Sequence, residues 1–274
     1  MPTARINGTT VAYADTGPPP GRPDAATVVF GHGLLFGGWM FRAQVAALRA
    51  EYRCVTVDWR GQGETPAPAD GYDMDTLTGD AVALIGKLGV APVHFVGLSM
   101  GGFVGQRIAA RQGGLLRSLT LLGTSADGEE PGRSREYKVL AAVYRLLGPV
   151  GPVMDRTLPL MFSPASLSAP GHAALRAEWI DRLRRSARPG IRRAVRGVAD
   201  RTPVHAELAR IAVPTLVIVG ADDAATPPAR AERIAAGIAG ARLETVPDCG
   251  HSSTLEQPET ISGLLRDFLA SVPS

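Results

Sequence analysis

The chain has 274 residues with a formal net charge of +3, and its residues are 45% hydrophobic and 20% charged. This balance is typical of a soluble globular protein with a large core and excludes a disordered chain. The 32 glycines and 22 prolines follow no Gly-X-Y period, which excludes a collagen-like chain. Two cysteines are too few for a disulfide framework or for a zinc site made of thiolates.

The basic balance does not indicate a nucleic-acid or membrane partner. Only Lys87 and Lys138 among the 29 basic residues are lysine, and such an arginine bias beside abundant alanine, glycine and proline is typical of a GC-rich genome. Residues 1–17 lack an apolar run behind a basic start, so no signal peptide is predicted. The longest uncharged runs, 88–106 and 157–175, contain prolines and make poor membrane spans. We therefore expect a cytoplasmic protein with no nucleic-acid and no membrane partner.

Strand-like and helical patterns alternate through the first half of the chain. Residues 3–14 are predicted to form a hairpin, because Asn7 and Gly8 suit a type I′ turn. After a loop at 15–25, short runs of valine, leucine and phenylalanine are typical of parallel strands that are buried on both faces. Predicted strands lie at 27–30, 53–58, 93–97 and 116–122, and predicted helices lie at 39–50, 75–88 and 99–111.

Residues 125–205 interrupt this alternation, because they hold no strand-like run. Helical periodicity is present at 135–147 and 173–186, and prolines divide the rest into short pieces. The alternation resumes with predicted strands at 215–219 and 242–246 and predicted helices at 229–239 and 258–270. We therefore predict an α/β fold with a mostly parallel sheet flanked by helices. Its core is formed by 1–124 and 206–274, and a helical cap is inserted at 125–205.

The predicted cap is rich in arginine. Nine arginines and three acidic residues lie between Arg176 and Arg201. We interpret most of these arginines as a solvated helical face. One or two of them facing a pocket would suit a substrate carboxylate, because guanidinium groups bind carboxylates through paired hydrogen bonds.

A candidate nucleophile lies between a predicted strand and a predicted helix. Gly97, Ser99 and Gly101 fit the G-x-S-x-G nucleophile elbow, whose tight turn leaves no room for side chains two positions before and after the serine. The helix that begins there directs free N–H groups and its positive dipole end toward a developing oxyanion. A glycine-rich turn without chemistry is the alternative interpretation, and the strand-turn-helix context favours the nucleophile.

A serine nucleophile requires a base and an acid. His251, just after the last predicted strand, supplies an imidazole whose ordinary pKa suits general base catalysis. The acid is expected between Ser99 and His251 in the chain, after a strand at the carboxyl edge of the sheet. Asp222 and Asp223 both meet that condition, and their spacing does not choose between them.

These motifs resemble those of the α/β-hydrolase superfamily, and the resemblance covers nearly the whole chain. In that superfamily the acid is commonly the aspartate of a G-x-x-D-x-x-x-P segment, which here spans 220–227 and implies Asp223. The segment 30–34 resembles the H-G-x segment of the superfamily. This likeness implies that the backbone N–H groups of Leu34 and Met100 form an oxyanion hole.

The same resemblance gives other residues a structural role. His32 belongs to the H-G-x segment and is interpreted as a loop residue, because the motif already has its base. The segment 58–63 resembles the D-x-R-G-x-G turn of the superfamily and is also interpreted as structural. We interpret Cys249 as a small buried residue and His94 as a residue packed in its strand.

The elbow and the segments 220–228 and 250–259 are similar to those of 3-oxoadipate enol-lactonases and related small esterases. The likeness implies a Ser99, Asp223 and His251 triad that hydrolyses a small-molecule carboxylic ester or lactone through an acyl-enzyme, with no cofactor and no metal. Cofactor-free haloperoxidases (perhydrolases) and carbon–carbon bond hydrolases are the enzymatic alternatives. A hydrolase-fold receptor for a small molecule is the non-enzymatic one, and an ester hydrolysis assay distinguishes it.

Overall fold

The fold is centred on an eight-stranded sheet in a computed structural model, which describes residues 1–273. The strands are β1 (Thr3–Ile6), β2 (Thr9–Asp15), β3 (Thr27–Gly31), β4 (Arg53–Val57), β5 (Val93–Leu98), β6 (Leu116–Leu122), β7 (Thr215–Gly220) and β8 (Arg242–Val246). Their spatial order is β1-β2-β4-β3-β5-β6-β7-β8. The β1–β2 and β2–β4 pairs are antiparallel and the other pairs are parallel. The predicted mostly parallel α/β sheet is therefore confirmed.

Eleven α-helices accompany this sheet among the described residues. They are α1 (Arg42–Leu48), α2 (Met74–Leu88), α3 (Met100–Arg111), α4 (Pro131–Leu147), α5 (Gly151–Met161), α6 (Pro164–Ser168), α7 (Ala173–Arg185), α8 (Arg188–Ala199), α9 (Pro228–Gly237), α10 (Ser253–Glu256) and α11 (Pro258–Ser271). Helices α2, α3 and α9 pack in one apolar cluster with one face of the sheet, whereas α1 and α11 pack in a second cluster with the other face.

Strand β5 shows why the central strands read as unbroken apolar runs. Phe95 belongs to the first cluster, whereas Val96 and Leu98 belong to the second. Successive side chains of a strand point to opposite faces, and here both faces are covered by helices. Every residue of β5 is therefore buried.

The β1–β2 hairpin forms around the turn that the sequence indicates. Asn7 and Gly8 have φ angles of 44° and 73°, the left-handed values that a type I′ turn requires.

The predicted helix at 39–50 is wrong at both ends. A 3-10 turn at Gly38–Phe41 precedes α1, and the Asp58 carboxylate holds this tight turn by accepting the Gly38 N–H at 2.6 Å.

Between β6 and β7 the chain forms five helices, α4 to α8. The helical periodicity of the sequence predicts only two of them, because prolines ordinarily interrupt helices. Pro152, Pro164 and Pro189 instead lie in the first turns of α5, α6 and α8, where a missing N–H costs no helical hydrogen bond. Residues 125–205 therefore contain more helix than predicted.

The chain order of the sheet positions the candidate site. From β3 the chain passes to β4 on one side and then returns, through α2, to β5 on the other side of β3. Such a reversal opens a crevice at the carboxyl ends of the two adjacent strands. The segment after Gly31 and the elbow at Ser99 follow those ends, so they meet at one edge of the sheet. No helix within residues 1–273 is long and apolar enough to span a membrane.

Candidate active site

Ser99 occupies the turn between β5 and α3 in a strained conformation. Its φ of 52° and ψ of −108° lie outside the regions that L-residues ordinarily adopt. Its N–H donates to the Leu122 carbonyl at 2.9 Å, and its carbonyl accepts from the Thr124 hydroxyl at 2.8 Å. The surrounding structure thus holds the strained backbone in place, and the side chain lines a cavity.

The elbow packs against β3 so closely that glycine is required. A Cβ on Gly101 would lie 1.9 Å from the Gly31 carbonyl oxygen, and a Cβ on Gly97 would lie 2.4 Å from the carbonyl carbon of Gly101. Heavy atoms cannot approach so closely, and the obstructing atoms are backbone. The two glycines of the elbow therefore allow the serine turn to sit directly on the neighbouring strand.

Replacing Gly101 with alanine is expected to lower the free energy of unfolding by about 3 kcal/mol or more, because the new methyl group overlaps fixed backbone. Gly86→Ala is the matched control in α2. No atom lies within 4 Å of a Cβ at that position, so the change is expected to stabilise the helix by about 0.5–1 kcal/mol. Urea unfolding of both variants measures the difference, and equal midpoints would contradict this packing.

His251 and Asp223 form a buried pair. The His251 Nδ1 atom lies 2.9 Å from Asp223 Oδ2 and 3.0 Å from Oδ1, and both side chains are nearly fully buried. The Thr226 hydroxyl and N–H each donate to this carboxylate at 2.8 Å. An Nδ1–H that donates to Asp223 leaves Nε2 with a lone pair. His251 and Ser99 line the same cavity.

The adjacent aspartate lies apart from this pair. Asp222 is exposed, and its N–H donates to the Cys249 carbonyl at 2.9 Å. Gly123, after β6, makes room for the pair. A Cβ there would lie 2.9 Å from Asp223 Oδ2 and 3.3 Å from His251 Nδ1, and φ is +45°. The turn after β7 thus directs Asp223, and not Asp222, toward the imidazole of His251.

Of the two predicted oxyanion donors, Leu34 lies on the loop after β3 and Met100 is the first residue of α3. The Gly101 N–H donates to the His32 carbonyl at 3.2 Å and joins that loop to the start of α3. Gln62 accepts the Leu35 N–H at 2.8 Å, and its Nε2 lies 3.9 Å from the Met100 sulfur. The N–H groups of Leu34 and Met100 are both without a backbone partner in the described part of the chain.

His32 is engaged through both ring nitrogens. Its Nε2 accepts the Trp59 N–H at 3.0 Å, which leaves Nδ1–H to donate to the Gly33 carbonyl at 2.7 Å. Complete burial lowers the pKa of His32, so the imidazole stays neutral. The Asp58 carboxylate accepts the N–H groups of Gly38 and Glu64, at 2.6 and 2.9 Å. These residues hold the loops.

The two other residues singled out by the sequence are also buried. Burial raises the pKa of the Cys249 thiol, and nearby carboxylates including Glu256 and Asp223 raise it further, so a thiolate is disfavoured. Burial lowers the pKa of His94 to about 4, and its Nδ1 lies 2.8 Å from the Ser118 hydroxyl. Across residues 1–273, no three His, Cys, Asp or Glu side chains group as metal ligands.

The cavity has a volume of about 100 Å³ and lies between the sheet edge and the inserted helices. The inserted helices contribute mostly apolar side chains to it, including Leu140, Tyr144, Met154, Leu160 and Val195. An ion pair also lines it, in which Arg201 Nη1 lies 3.0 Å from Glu129 Oε2.

Three features of the site were not predicted from the sequence. Thr226 lies three residues after Asp223, a spacing at which an aspartate side chain often accepts a backbone N–H, so this contact could have been predicted. Gly123 carries no motif. The Glu129–Arg201 pair joins the two ends of the inserted segment, so only the fold brings its members together.

Comparison with known proteins agrees with this architecture. A family model described as "Alpha/beta hydrolase family" matches residues 28–263. BpoC of Mycobacterium tuberculosis, a candidate non-heme bromoperoxidase, is 31% identical over 96% of this chain and 98% of its own length. The solved enol-lactonase of Burkholderia xenovorans has a TM-score of 0.90 with 30% identity, over 98% of this chain and 100% of that one.

A thermophilic esterase of Thermogutta terrifontis is similar as well. Its TM-score is 0.88 with 28% identity, over 99% of this chain and 97% of the esterase. The family model, the full-length relatives and the sheet order agree on one family. This chain is a member of the alpha/beta hydrolase family.

Proposed function

We propose that this protein hydrolyses a carboxylic ester or lactone of a small molecule, with Ser99 as nucleophile, His251 as base and Asp223 as the orienting acid. One observation carries the proposal. Ser99 and His251 line the same apolar cavity, while Asp223 holds the far nitrogen of the imidazole at 2.9 Å. This arrangement of a nucleophile, a base and a carboxylate that orients the base is suited to acyl transfer.

In acylation, His251 Nε2 takes the proton of the Ser99 hydroxyl while Oγ attacks the carbonyl carbon of the substrate. The Leu34 and Met100 N–H groups stabilise the oxyanion that forms. Asp223 stabilises the imidazolium through the Nδ1–H bond. The imidazolium then gives its proton to the leaving oxygen as the carbon–oxygen bond breaks, which leaves the acyl group on Ser99.

Deacylation repeats these steps with water. His251 takes a proton from a water molecule while the oxygen of that water attacks the acyl carbon. The Leu34 and Met100 N–H groups stabilise the second oxyanion. The imidazolium returns its proton to Ser99 Oγ when the acyl bond breaks, and the carboxylic acid leaves. We further propose that residues 125–205 act as a cap that encloses the acyl group, because helices α4, α5, α7 and α8 supply most of the apolar lining.

The named relatives support ester or lactone hydrolysis and also favour one alternative. An enol-lactonase and an esterase match nearly the whole chain in structure, and a candidate non-heme bromoperoxidase matches it in sequence. If hydrogen peroxide replaces water in deacylation, the same acyl-Ser99 yields a peracid instead of an acid. Perhydrolysis is therefore the second candidate function.

A parallel assay of p-nitrophenyl acetate, small lactones, and acetate with hydrogen peroxide tests the proposal. We expect ester or lactone turnover to exceed peracid formation. Turnover confined to the peroxide reaction would favour the perhydrolase, whereas no turnover of any substrate would contradict both candidates and favour a receptor.

A further inference from the structure

The arginine at the end of the inserted segment has one nitrogen without a partner. Arg201 donates through Nε to the Asp127 carbonyl and through Nη1 to Glu129 and the Val198 carbonyl, each at 3.0 Å. Its Nη2 is buried and has no acceptor among residues 1–273. The side chain is 2% exposed, so bulk water does not satisfy that group. A buried N–H of a charged group without an acceptor is costly.

Arg201 lies where a substrate could supply the acceptor. It lines the cavity that Ser99 and His251 also line, and its guanidinium packs 4.4 Å from the centre of the Phe103 ring. Most of the remaining lining is apolar. A ligand with one polar end would therefore place its chain against the apolar wall and its polar end at this ion pair.

The local charge favours an anionic end. Arg201 and Arg230 share Glu129, at 3.0 and 3.5 Å, and Asp127 pairs with Arg233 at 2.6 Å. Three guanidinium groups thus face two carboxylates, which leaves one positive charge in excess. A carboxylate would neutralise that charge and accept a hydrogen bond from Nη2, whereas a neutral oxygen would only accept the hydrogen bond.

We propose that Arg201 binds a carboxylate carried by the substrate apart from the reacting carbonyl, so that the preferred substrates are monoanionic esters or lactones. The inference rests on the proposed hydrolase function and goes further by assigning a specificity-determining residue. Most of the other cap arginines take no part, and Arg196, for example, is exposed on α8.

The test compares esters that differ only in the carboxylate. Mono-p-nitrophenyl adipate and pimelate are paired with p-nitrophenyl hexanoate and heptanoate, and acetoxyhexanoate is paired with hexyl acetate to place the charge on the alcohol side. We expect the wild type to favour the anionic member of at least one pair by about tenfold or more in kcat/KM. Equal values within every pair would overturn the proposal.

Arg201→Met is expected to lower the ratio of kcat/KM for the anionic ester to kcat/KM for its neutral partner to about one. Arg196→Met is the matched control and should keep the preference. Arg201→Met leaves Glu129 with one partner fewer. The double variant Glu129→Gln/Arg201→Met removes one positive and one negative charge together, and it should also lose the preference for the anionic ester. A preference that persists in a folded Arg201 variant would overturn the proposal.

Calorimetry separates this inference from the proposed function. Monomethyl adipate and methyl hexanoate are titrated into Ser99→Ala protein, with and without Arg201→Met. If monomethyl adipate binds about tenfold more tightly than methyl hexanoate, and Arg201→Met removes that difference, the carboxylate site is supported even if no ester is turned over. Conversely, ester hydrolysis that requires Ser99 but shows neither preference nor tighter binding leaves the hydrolase standing and overturns the role of Arg201.

Discussion

Ser99→Ala is expected to lower kcat for p-nitrophenyl acetate by about 10⁴-fold or more, with KM changed only a few-fold. Alanine removes the only atom of residue 99 that can form the acyl bond. The cavity and the Leu34 and Met100 N–H groups remain to bind the ester. A steady-state assay of the purified variant at matched concentration measures the loss.

Ser168→Ala is the matched control, because Ser168 is an exposed serine on α6 that lies away from the cavity lining. It should keep the wild-type rate within about twofold. A Ser99→Ala variant whose kcat remains within about tenfold of the wild type would show that the hydroxyl is not the nucleophile. Circular dichroism establishes that both variants fold.

Asp223→Asn is expected to reduce kcat by about 10⁴-fold, whereas Asp222→Asn should keep the wild-type rate within about twofold. The amide nitrogen of an asparagine at 223 would donate toward His251 Nδ1 and favour the proton on Nε2. An Nε2 that carries a proton cannot accept one from Ser99. Asp222 is exposed and lies outside the described hydrogen bonds of His251.

The two aspartate variants are compared by kcat and by urea unfolding, because Asp223 also accepts two hydrogen bonds from Thr226. Thr226→Val separates the two roles. It removes the hydroxyl donor but leaves the carboxylate on His251, so a loss far below that of Asp223→Asn is expected. Equal retention of activity by both aspartate variants would contradict the assignment of the acid.

The fold was predictable because several features of the sequence agree. The alternation of strands and helices, the apolar runs such as 93–98 and the Asn7-Gly8 turn all follow from backbone and burial preferences. The position of Ser99 was predictable for a similar reason. Its neighbours Gly97 and Gly101 are required by backbone contacts that any residue with a Cβ would obstruct.

The choice between Asp222 and Asp223 could not be made from spacing alone. The two residues are adjacent, and the turn after β7 decides which one faces the imidazole. In that turn the Asp223 N–H donates to the Gly220 carbonyl at 3.1 Å, while the Asp222 N–H bonds to the Cys249 carbonyl. The resemblance to the family supplied the choice that the residues by themselves left open.

Which of the nine arginines between Arg176 and Arg201 lines the cavity could not be predicted, for a different reason. Arg201 is one of nine arginines with similar neighbours, and nothing local marks it. Its burial arises because the ends of the inserted segment meet, which pairs it with Glu129 and places it over Phe103. Long-range contacts of this kind leave no periodic signal in the sequence.

The central claim is that Ser99 carries the acyl group, and covalent trapping tests it most directly. Diethyl p-nitrophenyl phosphate should react with the Ser99 hydroxyl, release about one equivalent of p-nitrophenolate per chain and leave a stable phosphoryl ester. Peptide mass spectrometry should then find the label on Ser99, with ester hydrolysis lost in proportion to labelling. An acyl-enzyme on Ser99 is contradicted if Ser99 stays unlabelled, if inactivation follows labelling of another residue, or if fully labelled protein still hydrolyses the ester.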